Sequence, residues 1–301
     1  MSYIDQNGQD HDSEVLPLSV RRYDYKDKDQ LDQILTLERE DLLDSMRHSR
    51  VISDIDTESG RSEQEPTTEI TEYIIFSIDP TTFNQDFLSL DAIPNFSTRT
   101  SFNPNTKTLI VKIITSEHTQ LAFAVHKAVD KALARMGLDE ASYQYLGVDI
   151  DMNGRKKQPD MGWGPRQPLR IYPKRPSVVL EVMVSGTPKK LRQDVDLWLD
   201  PVQGNANAVI ATKLNRQREM VTIDLWKWDT VDGKSINSQH IEVSKNEYDE
   251  VKLSGGPLVI PFRLLFLRDP QPPQETDVII DNEWLQKIAE WGWEMQFSNS
   301  H

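Results

Sequence analysis

Apolar residues recur at helical spacing in four stretches of this chain and crowd together at strand-like density in several shorter ones. From about Asp29 to Arg47, the residues Leu31, Ile34, Leu35, Leu42 and Met46 predict a helix with one apolar face. The clearest stripe is Leu121, Val125, Ala128, Val129, Ala132, Leu133 and Met136, with Ser116 placed as N-cap and Gly137 placed to end it. Thr187-Pro188 opens a third helix carrying Leu191, Val195, Trp198 and Leu199 on one side, proline being tolerated in a first turn. A last helix is predicted from about Asp281, aligning Trp284, Ile288 and Trp291 as a packing face.

Strand composition marks Tyr73 to Ile78, Thr108 to Ile114, Tyr143 to Ile150, Ala208 to Leu214, Met220 to Trp226 and Leu258 to Leu267. Asn153-Gly154 is the strongest hairpin turn signal, and it predicts a following strand from Arg155 to Trp163 that carries Asp160. Ser177 to Val184 is a nearly unbroken β-branched run, as in a strand buried on both faces. Residues 79–105 hold three prolines and read as an irregular connection. From Glu117 the order helix, strand, strand, strand, helix, strand, strand predicts an α/β fold with a mixed central β-sheet flanked by helices.

The amino-terminal part reads differently. Residues 1–27 are polar and acidic without periodicity, and Ser53 to Thr68 is rich in acids, Ser and Thr. The expected organisation is therefore an acidic leader over 1–70, disordered or partly helical, followed by an α/β domain over 71–301.

Charge sharpens this division. The chain of 301 residues carries a formal −14, which alone argues against a nucleic-acid partner, because phosphate binding needs a cationic face. Residues 1–70 hold 18 acids and 8 bases, so most of the excess lies in the leader. Residues 153–193 reverse it, with ten Lys and Arg against two acids, Asp160 and Glu181. The absence of cysteine excludes disulfides, thiolate metal sites and cysteine nucleophiles. No run of about 18 apolar residues and no secretory signal is seen, so an intracellular protein, cytoplasmic or nuclear and without a membrane partner, is expected.

Two carboxylates from neighbouring strands inside a basic stretch suggest a hard divalent cation next to a polyanion. Asp160 follows Pro159, and Glu181 interrupts an apolar run where a carboxylate is rarely buried unless paired or ligating. Asp160, Glu181 and the carbonyl of Val182 are the candidate ligands for Mg²⁺ or Mn²⁺, which would polarise a phosphate and acidify an attacking water. Arg155, Lys156, Lys157 and Arg175 are candidates to line a nucleic-acid backbone groove. The alternatives are a turn-initiating Asp160 and a Glu181 held in a structural ion pair with a nearby arginine. There is no nucleophile elbow, phosphate loop, dinucleotide fingerprint or zincin motif.

The segments Lys157-Gln158-Pro159-Asp160, Pro176 to Ser185 with Glu181-Val182, and Leu191 to Leu199 ending in Trp198-Leu199 resemble the PD-(D/E)XK nuclease superfamily, of restriction-endonuclease-like fold, and in wording an uncharacterised fungal group within it. The resemblance covers residues 72–295 in layout, with its motifs in 155–199. It implies a metal-dependent nuclease acting on DNA or RNA, and it implies accessory roles for Glu117 and His118 at the start of the first core helix. The superfamily expects lysine two places after the glutamate, where this chain has Met183. Lys189 and Lys190 are the expected substitutes, with Lys157 and Lys213 behind them. Without such a substitute, the resemblance implies a degenerate module that binds nucleic acid or a protein partner without cutting.

Overall fold

The computed structural model describes residues 16–17, 19–59, 71–88, 97–166, 175–185, 187–215 and 217–297, with the side chains of 47–59 not described. Residues 1–15, 18 and 60–70 of the expected leader lie outside the described residues, as do residues 167–174 of the basic stretch. In chain order the first elements are β1 (Arg22–Asp24), α1 (Lys28–Ser59), β2 (Tyr73–Ser77), α2 (Pro80–Phe87), β3 (Thr98–Asn103), β4 (Thr108–Ile113) and α3 (Ser116–Arg135). A 3-10 turn at Asp139–Ala141 precedes β5 (Ser142–Gln144), β6 (Ile150–Met152), β7 (Arg155–Lys157), β8 (Met161–Pro165), β9 (Val178–Met183) and α4 (Pro188–Leu199). The chain continues through β10 (Ala208–Leu214), β11 (Met220–Asp229), β12 (Lys234–Lys245), β13 (Val251–Ser254), β14 (Leu258–Ile260), α5 (Phe262–Phe266), β15 (Val278–Ile280) and α6 (Asn282–Phe297).

These elements form two units. The first comprises Met1–Ile114, Gly154–Lys157 and Ser185–Lys190, and the second comprises Thr115–Asn153, Gln158–Val184 and Leu191–His301.

In the first unit the strands lie in the order β1-β2-β4-β3-β7. Antiparallel pairing sets Ile74 across from Val111 and Phe76 across from Leu109, which in turn faces Phe102. Residues directly across point the same way, so these side chains form one apolar face. Against it pack Leu31, Leu42 and Met46 of α1 and Phe83 of α2, whose ring stacks on Phe102 at 3.9 Å between centroids. The helix predicted over 29–47 is thus part of a core, and it runs on to Ser59, into the stretch rich in acids, Ser and Thr. The strand Arg22–Asp24, inside the stretch expected as featureless, pairs parallel to β2 and lays Tyr23 on Phe76. Three residues with one aromatic are too short for an alternation signal, and the pairing is recognisable only once β2 is in place.

The second unit holds a seven-stranded sheet in the order β13-β12-β11-β10-β9-β8-β5. Pairing is parallel between β9 and β10 and antiparallel elsewhere, so the sheet is mixed. One face, with Leu180, Val182, Ile210, Ile223 and Leu225, is covered by Leu121, Val125, Val129 and Leu133 of α3 and by Leu285 and Ile288 of α6. α3 and α6 approach closely where residue 292 is glycine: a Cβ there would lie 2.8 Å from a methyl of Leu121. On the opposite face Val195, Trp198 and Leu199 of α4 cover Val179, Val209 and Ala211, together with Ile150 and Met152 of β6. The expected α/β architecture, a mixed sheet flanked by helices, is borne out. Among the described residues no helix is long and apolar enough to cross a membrane.

Several local expectations differ from the structure. Residues 79–105, read as an irregular connection, contain α2, which Asp79 caps by accepting from the N–H groups of Thr81 and Thr82, and β3, which pairs with β4. The strand predicted over 143–150 is broken into β5 and β6 around Gly147, whose positive φ of 64° departs from extended backbone. The strand predicted over 155–163 is interrupted at Pro159, which has no N–H for a ladder, so Asp160 lies between β7 and β8. Beyond Ile260 the predicted strand gives way at Pro261 to the short helix α5. The hairpin arm β12, not predicted, follows a turn at Asp232-Gly233 and alternates Ile241 and Val243 into the core. The Asn153-Gly154 turn has φ of 54° and 90°, the positive values of a type I′ turn.

The start of α6 gives a pH-dependent prediction. Asp281 accepts a hydrogen bond from the backbone N–H of Trp284 at 3.0 Å and pairs with Arg135 of α3. The Trp284 N–H, and then Arg135, hold its carboxyl below the usual range. A depressed folded pKa stabilises above the unfolded value, about 4, and that contribution is lost as pH falls through the folded pKa. Asp281→Asn should therefore lower Tm near neutral pH and narrow its gap to the parent as the solution is acidified below about pH 4. A gap that stays constant with pH would assign the loss to packing.

Candidate active site

Asp160 occupies the break that Pro159 makes between two strands. The pairing of β8 with β9 sets Met161 across from Leu180, and extending that register by one residue sets Asp160 across from Glu181. The Asp160 side chain takes over where the backbone ladder stops: its Oδ2 accepts a hydrogen bond from the backbone N–H of Val182 at 2.8 Å. The same oxygen lies 3.0 Å from Nε2 of His118, in the first turn of α3. Asp160 and His118 are each only 1% exposed, so this contact is made in a low-dielectric setting where it is stronger than in water.

Glu181 sits in the middle of a strand whose six residues are all buried. Strand alternation places it on the face covered by α4, along with Val179. There its Oε1 accepts a hydrogen bond from the indole N–H of Trp198. The sequence placed Trp198 on an apolar helix face and at the end of a motif segment, without a partner; an indole buried on such a face needs an acceptor, and Glu181 supplies it. An aromatic N–H is thus one partner of Glu181.

The start of α3 completes the group. Thr115 is the N-cap, one residue before the Ser116 expected for it, and its side chain accepts from the His118 N–H at 3.3 Å. Glu117 and His118 are both buried, at 3% and 1% exposed, and Glu117 stands at the positive end of the helix dipole. The structure therefore gathers His118, Asp160 and Val182 in direct contact, with Glu117 and Glu181 next to them in the chain. Asp194 of α4 is also buried, and no sequence signal had singled it out.

Of the expected basic residues, Arg175 belongs to the same unit. It is half-buried, and burial lowers its guanidinium pKa from the usual value. Arg155, Lys156, Lys157, Lys189 and Lys190 belong to the first unit. There Lys157 and Lys190 are buried and Lys189 is exposed, with the Lys190 ammonium 5.7 Å from the Tyr73 ring centre. Met183, at the position where the resemblance expects lysine, is 1% exposed within β9.

Among the described residues no three His, Asp or Glu side chains gather into a metal-holding cluster. What this unit offers is a pair of buried carboxylates across one strand pair, with the Val182 carbonyl next to Glu181 in sequence. Mg²⁺ is commonly held by one or two carboxylates, with water and substrate phosphate filling the other positions. The all-oxygen donor set suits Mg²⁺ or Mn²⁺ in number and hardness and offers nothing to a thiophilic metal.

No family model and no curated protein matches the chain. Among solved structures, the chain is similar to one described as a "putative nuclease belonging to DUF820" from Anabaena variabilis ATCC 29413. The identity is 11% and the TM-score 0.36, with 64% of this chain and 90% of that chain covered. A likeness at that distance decides nothing about function, and it gives no support to the fungal grouping.

Proposed function

We propose that the second unit is a metal-dependent nuclease-like domain that hydrolyses phosphodiester bonds in DNA or RNA. The observation that carries this reading is the buried Asp160–Glu181 pair, fixed on both sides by directed hydrogen bonds. Asp160, Glu181 and the Val182 carbonyl would hold Mg²⁺ or Mn²⁺. When bound, that ion polarises a phosphoryl oxygen and lowers the pKa of a water. The chain's own part is orientation. The Val182 N–H and His118 fix the Asp160 carboxylate, and the Trp198 N–H fixes Glu181. Partners that lock liganding carboxylates in place are what make such a site effective. Burial strengthens each of these interactions by excluding water.

A second reading, a nuclease-fold module that binds nucleic acid or a protein without cutting, is favoured by the buried methionine at position 183, which can neither orient a water nor offset developing charge. Incubation of the purified chain with supercoiled plasmid, single-stranded DNA or RNA in Mg²⁺ or Mn²⁺ separates the two. Nicking or degradation that EDTA abolishes is the expected result. Salt-sensitive binding without strand cleavage in either metal would select the second reading.

A further inference from the structure

β10 is a central strand of the second unit's sheet, lying between β9 and β11. Six of its seven residues are buried, and Lys213 is the exception, a partly exposed cation in a strand otherwise built of apolar residues and Thr212. Lysine is almost never found deep in a sheet unless it is paired. One account is that Lys213 marks the margin of the α4 cover and carries its charge out to water along an apolar stem.

The register gives it a more particular neighbourhood. β10 runs parallel to β9, with Ala211 beside Glu181 and Lys213 beside Met183. Strand alternation puts Lys213 on the same side as Val209 and Ala211, and Glu181 on the same side as Val179, which is the side that α4 covers. A strand spacing of about 5 Å and a two-residue step of about 7 Å set Lys213 and Glu181 about 8 Å apart between Cα atoms on the diagonal. A lysine side chain is long enough to span much of that gap. On the other side, the acid diagonal to Lys213 is Asp224, and it accepts from Asn237 and contacts His240. Glu242 shares the Lys213 row but stands two strands away. Among the described residues the Lys213 ammonium forms no ion pair.

We propose that Lys213 is a catalytic residue of the candidate active site, its ammonium meeting a non-bridging oxygen of the phosphate held at Asp160 and Glu181. In the hydrolysis a water oxygen bonds to phosphorus and gives up a proton, while the bond to the leaving oxygen breaks and that oxygen takes one. Negative charge on the phosphoryl oxygens is met on the way by a cation already in place, which need not reorganise as the reaction proceeds. Met183 carries no charge, and Lys213 approaches the same side of the sheet from the adjoining strand. Its partial exposure suits a group that must meet an incoming ligand, whereas Glu181 and Met183 are sealed at 2% and 1% exposed. The sequence placed Lys213 behind Lys189 and Lys190, because pairing with β9 is not visible in it. The inference rests on the nuclease reading and adds a residue to that site.

The test makes two measurements on the full chain and on Lys213→Met and Lys213→Gln. In EDTA, fluorescence anisotropy with a labelled DNA duplex, DNA strand and RNA strand over a salt series reads the phosphate contact without cleavage. Each variant should lower the slope of log affinity against log salt by about one. In Mg²⁺, cleavage at saturating substrate should lose about 10²-fold or more in kcat, with a smaller change in KM. Tm should hold or rise, because a charge leaves a mostly buried strand. A kcat within a few-fold of the parent in either folded variant would overturn the proposal and leave the nuclease reading intact. A parental salt slope in both variants would do the same, as would a failure of both to fold, which would make the lysine a structural part of the sheet. The parent alone reads the broader assignment: if it cleaves nothing in either metal, the nuclease reading ends and this catalytic role with it.

Discussion

Asp160→Asn should reduce metal-dependent cleavage at least about 10²–10³-fold, the loss typical of removing one group that acts on developing charge. The substitution is chosen for what it keeps. An asparagine oxygen can still accept the Val182 N–H, so the junction between β7 and β8 retains its bond while the negative charge facing His118 and any bound ion is removed. Glu181→Gln keeps an acceptor for the Trp198 indole in the same way. Because the two carboxylates would act as one unit, the double variant should be little worse than either single one. Rates on plasmid at saturating Mg²⁺, with Tm measured alongside, decide it. Cleavage within a few-fold of the parent in folded Asp160→Asn would remove that carboxylate from the chemistry.

Trp198→Ala should cost about 3–5 kcal/mol in denaturant unfolding, the range for deleting a fully buried large aromatic. Trp198 is 0% exposed, packed among Val179, Val195 and Val209, and its N–H donates to the buried carboxylate of Glu181. Removing it opens a cavity and also takes a donor from a buried carboxylate, a separate penalty of about 1–3 kcal/mol. Trp198→Phe divides the two contributions. It preserves most of the packing, so its loss should lie near the smaller figure, and it should impair cleavage more than its stability loss accounts for. Equal stability of Trp198→Phe and the parent would show that the indole N–H contributes nothing to holding Glu181.

Much of the second unit was legible because its signals are local. The stripe from Leu121 to Met136, the β-branched run around Glu181 and the strands at Ala208–Leu214 and Met220–Asp229 each bury a face set by their own periodicity. Asp160 and Glu181 were legible as exceptions, acids where composition called for bases or apolar residues. The parallel strand at Arg22–Asp24 left no trace, because three residues with one aromatic cannot announce a partner about fifty positions away.

The amino-acid order by itself determined the longer, strongly periodic helices and strands, and which acids and bases stand out from their surroundings, because these follow from periodicity and from the cost of burying charge. The tertiary structure alone decided the partners: Val182 N–H and His118 for Asp160, and the indole of Trp198 for Glu181. A partner depends on strand register and on which helix covers which face, and those are settled by packing between elements distant in the chain.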